Sequence, residues 1–314
     1  MELFCLTLPN EIDKLERWTK DLQKLLYDCI NRDLHIHNKT KLKADLVSLE
    51  VTVDKRIKCR ANLPAFQLMQ HGDLVYKGAS EAIAQFVVSE LEHIMLSSII
   101  QRKYSHYSRI DKEAIHKYSS GMLAGQDWDG LGAKFHEADQ ARRIRKVAEE
   151  VANYLQIETD LNLSGFITFR LEAYRKELYE IVDYAMDEFM LDKQYQEFIS
   201  LLKYFVYLQD TKIDQVHLLH KGGQEFQLYD SSFRLIEPEH ATDRIVAEMI
   251  ETEMNIDDMV ISSLISVSPK HITVHTKHPQ QQVIRTIESI FDKRVTICQN
   301  CISCSNQVDE VTQS

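Results

Sequence analysis

HITVHTKHPQQQVIRTIESIFDKRVTIC, residues 271–298, decides the fold class because its hydrophobic period changes twice. HITVHT alternates and predicts a strand, Pro279 opens a helix carrying Val283, Ile284, Ile287 and Phe291, and RVTIC predicts a second strand. Strand, helix, strand in that order is a βαβ unit, right-handed if the strands are parallel neighbours. Ile272 and Val274 then face the covering helix together with Val295 and Ile297. His271, Thr273 and His275 are left on the opposite side, where Cys298 emerges beside His275.

Upstream, VHLLHKGGQEFQLYD (216–230) predicts a hairpin about Gly222 and Gly223, followed by helices at Ala241 to Met254 and Asp258 to Val267. The middle of the chain is helical. Ile83, Phe86, Val87, Leu91, Ile94, Met95 and Ile99 form one stripe from Ser80 onward. A helix follows from Asp111, its cap, to Leu123, then a loop over GQDWDGLG (125–132), then a helix from Glu137 to Leu155. Two more helices are expected at Leu171 to Leu191 and Tyr195 to Leu208, with a bend at Asp192, Lys193 and Gln194. At the start, ELFCLTL predicts a strand, Ile12, Leu15, Trp18, Leu22, Leu25 and Leu26 a helix, Asp33 to Lys41 a connector, and Leu46 to Val53 with Ile57 to Ala61 a strand pair. The expected class is α+β: a helix-rich middle of helical hairpins flanked by small mixed units, with a C-terminal hairpin plus βαβ element. The expected divisions are 1–78, 79–210, 211–300 and a polar tail, 301–314.

Of the 314 residues, 48 are acidic and 37 basic, for a formal charge of −11. That balance argues against broad binding to a nucleic-acid backbone, though a local basic patch is compatible with it. MELFCLTLPNEIDK is no secretory leader, and no uninterrupted apolar run of membrane-spanning length is visible, so a cytoplasmic protein without a transmembrane segment is expected. Cys5, Cys29, Cys59, Cys298, Cys301 and Cys304 are then expected as reduced thiols.

Cys298, Cys301 and Cys304 repeat the Cys-x-x-Cys spacing of zinc sites but lack a second cluster. His275 is the candidate fourth ligand, and zinc or iron the ion such a set would take; the competing reading is unliganded thiols in a polar tail. Glu-x-x-His occurs at Glu90/His93, Glu113/His116 and Glu237/His240, a spacing that serves di-iron bundles when two pairs and two further glutamates converge. Ordinary surface residues explain it better. His35 and His37 are expected in a solvated loop. HEADQ, from His136, lacks the second histidine of a zinc peptidase, and GQDWDGLG lacks the Lys-Ser/Thr ending of a phosphate loop. Arg142, Arg143, Arg145 and Lys146 are expected on a solvated helix face paired with Glu149 and Glu150. No catalytic constellation is recognisable.

GFITFRLEAYRKELYEIVDYAMDEFM, and then YQEFISLLKYFVYLQ, resemble the signature of the YtxC-like family of endospore-forming bacteria. The matching residues are Gly165, Phe166, Phe169, Arg170, Leu171, Tyr174 and Leu178, then Glu197, Phe198, Ile199, Leu201 to Val206 and Gln209. LLH, SSLISVSP and ITVHT are similar as well. The resemblance implies a role in sporulation, exerted through an unknown protein partner, and carries over no activity, cofactor or catalytic residue. Within the signature, Phe166, Phe169, Arg170 and Tyr174 are expected to dock the entry turn onto the helices, with Arg170 paired to a carboxylate such as Glu197. A binding surface on Arg170, Lys203 and Tyr204 is the alternative.

Overall fold

The structure, a computed structural model, describes residues 1–9, 13–37, 46–125, 132–222, 225–236, 256–299 and 301. The chain divides into two compact units, Met1–Met190 and Leu191–Ser314. The class is α+β, with one four-stranded sheet in each unit.

In the first unit, strand β1 (Glu2–Thr7) buries Leu3, Phe4, Cys5 and Leu6 in succession. A run buried on both faces marks a strand inside a sheet. β1 pairs antiparallel with β3 (Arg56–Ala61) and parallel with β4 (Asp160–Asn162), while β2 (Val47–Val51) closes the order β2-β3-β1-β4. Helix α1 (Leu15–His37) presents Trp18, Leu22, Leu26 and Ile30, all fully buried. It takes in residues 33 to 37, so His35 and His37 belong to the last turns of a helix rather than to a connector.

Helix α2 (Leu68–Phe86) starts well before Ser80, and its early buried face runs through Gly72, Val75, Gly78, Ala79 and Ala82. Small side chains keep the helical period while hiding it from a reading based on large apolar residues. A π-helical turn, Val87–Leu91, leads into α3 (Glu92–Lys103). The stretch Leu68–Lys103 is long and apolar enough to cross a bilayer, but 61% of its apolar window is buried among neighbouring elements, the setting of a core helix. α4 (Arg109–Leu123) is capped by Ser108, whose Oγ accepts from the Asp111 amide, so Asp111 sits in the first turn rather than at the cap. α5 spans Gly132–Leu155, and positions 126–131 of the expected glycine-rich loop lie outside the described residues.

After the short α6 (Leu163–Phe169) comes α7, one uninterrupted helix from Glu172 to Leu208. The expected bend is absent there: Asp192, Lys193 and Gln194 are polar, but none removes an amide donor or frees the backbone as proline or glycine would.

In the second unit, β5 (Ile213–Gly222) and β6 (Glu225–Asp230) form the expected hairpin. α8 (Ile256–Val267) leads to β7 (Pro269–His275), then α9 (Gln282–Phe291) and β8 (Val295–Cys298). The sheet order is β6-β5-β7-β8, with β5/β7 and β7/β8 parallel. The βαβ unit has the predicted register: Ile272 lies opposite Val295, Val274 opposite Ile297 and His275 opposite Cys298. Val216, Leu218, Ile272 and Val274 join Leu264, Ile284, Ile287 and Phe291 in one core. The helix expected at Ala241 to Met254 lies outside the described residues.

Candidate functional site

The residues opposite that core converge at the carboxyl ends of β7 and β8, the edge at which open α/β sheets place their sites. His275 is the last residue of β7, and the ladder continues past it through the Thr276 amide, which donates to the Cys298 carbonyl at 3.1 Å. The pairing therefore fixes the Cys298 backbone beside His275. The chain then returns Cys301, whose Sγ lies 3.8 Å from His275 Nδ1. One ligand atom from each of His275, Cys298 and Cys301 lies within 4.8 Å of the others. Among the described residues these three make the group that could hold a metal ion. Cys304 lies outside the described residues.

Behind His275 stands a residue that inspection of the tail does not reveal. His217, on β5, places Nδ1 3.0 Å from His275 Nε2. Phe233 stacks on the His217 ring, centroids 4.3 Å apart. His275 is 4% exposed. Burial pushes its pKa below the ordinary histidine value, and the charge on His217 acts in the same direction. Burial lowers His217 too, against the opposing pull of Asp230. Neutral imidazoles are the form in which histidine offers a lone pair. Next in line, His220 stacks on Phe226 and its Nδ1 lies 2.8 Å from Thr276 Oγ1. The signal for His217 is the alternation in VHLLH, which becomes informative once β5 is known to neighbour β7.

The other candidates resolve differently. Glu90 accepts from Arg17 at 2.5 Å and from Trp18 Nε1 at 2.9 Å, and Glu113 accepts from Arg109 at 2.7 Å. Both carboxylates face cations and donors, and Glu113 lines a cleft together with His93, His116, Arg109 and Lys112. Glu237 and His240 lie outside the described residues.

The basic run on α5 departs most from the solvated face expected. Arg143 is 2% exposed; it reaches both oxygens of Glu92 at 2.5 Å, the Leu123 carbonyl at 3.1 Å and Asp139 at 2.9 Å. Tyr174 donates its hydroxyl to the same Glu92. Burial works against the Arg143 charge, yet the Glu92 hydrogen bond and charge outweigh it and the pKa is raised. Burial and the Glu92 carboxylate raise Tyr174 also, which keeps the phenol a donor. Arg142 and Lys146 both engage Glu177. In the signature, Phe166 and Tyr174 dock as expected, but Phe169 is exposed and Arg170 lies over the Tyr154 ring at 5.9 Å rather than on Glu197.

The last five turns of α7 carry two apolar stripes. Ile199 and Val206 are buried in the core of the second unit, with Leu202 packed against it. Leu191, Phe198, Leu201, Phe205 and Leu208 form the other stripe, each 51–64% exposed. Their steps of seven, three, four and three are those of a helix–helix seam.

Fold and site define a helix-rich α+β protein with an imidazole–thiol cluster in its second unit and, among the described residues, an exposed apolar seam on α7. The YtxC-like family model matches residues 77–296, and the chain belongs to that family. The match runs from α2 into β8 and stops short of Cys298 and Cys301. The chain is similar to "Uncharacterized protein YtxC" of Bacillus subtilis (strain 168), with 27% identity over 212 residues, 66% of this chain and 70% of the relative. No solved structure matches.

Proposed function

We propose that this is a cytoplasmic, sporulation-associated protein that acts by holding a partner, and that the partner docks as a helix on the exposed seam of α7. The observation that carries this reading is the second apolar stripe, Leu191, Phe198, Leu201, Phe205 and Leu208, on a helix whose first stripe already fills the core. The stripe spans 18 residues, roughly 27 Å of helix, enough to seat a partner helix of similar length through its own three-and-four-spaced apolar positions. The sporulation context is the one that the resemblance of the 165–209 signature implies.

Charge favours a different protein over a second copy. At −11 two copies repel, whereas a helix with basic flanks is attracted. Glu197 stands exposed on the flank of the seam, and Lys203 is engaged by Asp292 at 3.2 Å.

The test is in-cell photo-crosslinking in a sporulating endospore-former that carries the gene, with the photoreactive residue at Leu201. The expected result is an adduct whose partner peptide has an apolar three-and-four stripe, lost in Phe198→Glu/Phe205→Glu. An adduct of the chain with itself, or no adduct specific to position 201, overturns the reading.

A further inference from the structure

We infer that His275, Cys298 and Cys301 form a zinc site, with His217 positioning the imidazole. Zinc takes Cys sulfur at about 2.3 Å and His nitrogen at about 2.0–2.1 Å, which in a tetrahedron sets sulfur and nitrogen roughly 3.6 Å apart. Cys301 Sγ and His275 Nδ1 stand at 3.8 Å, and all three ligand atoms lie within 4.8 Å of one another. Closing the set on an ion therefore needs side-chain movement of about 1 Å or less, with the strands left in place. Three protein donors leave the fourth tetrahedral position to a further ligand or water.

Three independent features of the fold point to the same ion. The parallel pairing of β7 and β8 places His275 opposite Cys298, so two donors are set by backbone register rather than by the tail. The ring orientation is set as well: His275 turns Nδ1 to the thiol and Nε2 to His217. A zinc ion on Nδ1 requires the tautomer that carries its proton on Nε2, and His217 Nδ1 stands at hydrogen-bond distance to accept that proton as the outer partner. The stacked ring of Phe233 holds His217 in that position. Finally, two soft thiols and one imidazole, without a carboxylate, are a donor set that suits zinc over magnesium, calcium or manganese.

The full-length, untagged protein, purified without chelator, is expected to carry about one zinc per chain by elemental mass spectrometry. Replacement by cobalt should give the thiolate charge-transfer band and intense visible bands of a tetrahedral Cys-ligated ion. In competition with a chromogenic chelator, Cys301→Ser and His275→Ala are expected to lose zinc. His217→Phe keeps the ring stack but not the hydrogen bond, and should weaken zinc binding by roughly 10–100-fold with the ion still bound at high concentration. Cys301 lies beyond the last strand, so its variant leaves the sheet intact and reads ligation alone. Sub-stoichiometric zinc together with no cobalt–thiolate band overturns the inference, as does unchanged zinc affinity in Cys301→Ser.

Discussion

Arg143 shows how a single side chain can be misjudged from its neighbours in sequence. Its partner Glu92 lies 51 residues away, outside any helical spacing, and the two are buried to 3% and 10% side-chain exposure. Removing one member of such a pair leaves the other charge stranded, at a cost of about 3–5 kcal/mol. Arg143→Ala should therefore lose that much stability in urea unfolding; a loss below about 1 kcal/mol contradicts the burial. The sequence treats the thiols as one reduced set, whereas the structure grades the five described ones by burial. Burial pushes Cys59 up to about 12, which keeps it a thiol at neutral pH. In metal-free native protein, an aromatic disulfide reagent should modify the half-buried Cys298 and Cys301 and spare Cys5, Cys29 and Cys59 until denaturant is added. Rapid native modification of Cys59 contradicts its placement. His275 was legible because strand parity alone set it beside Cys298. His217 was not, because its role depends on which strand lies next to β7.

Among elements, those read correctly are the ones whose period survives in large side chains. β7, α9 and β8 alternate or repeat through Ile, Val and Phe, and so even their register could be written down. α2 packs through Gly78, Ala79 and Ala82, and its first turns were missed. At Gly78 an added Cβ would meet Ile30 Cα at 2.8 Å and the Cys29 carbonyl oxygen at 2.9 Å, both backbone atoms of α1. Gly78→Ala must push the two helices apart, and a loss of roughly 1–3 kcal/mol by chemical denaturation is expected. Unchanged or raised stability, which alanine would bring to an unconstrained helix, contradicts the close approach. α7 was expected as two helices because polar residues interrupt its apolar stripe at 192–194. A polar interruption changes what a helix face touches without ending the helix, so the two stripes of the Leu191–Leu208 segment became visible only in the structure.

For the whole molecule, class and family were legible, and the seam was not, since exposure is a property of the folded chain. The account's central claim is that this seam carries the function. Phe198 and Phe205 are 54% and 51% exposed, outside the core, so Phe198→Glu/Phe205→Glu should fold with stability changed by about 1 kcal/mol or less. The direct measurement is the yield of heat-resistant spores from a deletion strain complemented with wild type or with this double variant, both at equal protein levels. The account predicts that deletion lowers the yield, that wild type restores it, and that the variant leaves it at the deletion level. Full restoration by the variant, or a normal yield from the deletion strain, would contradict it.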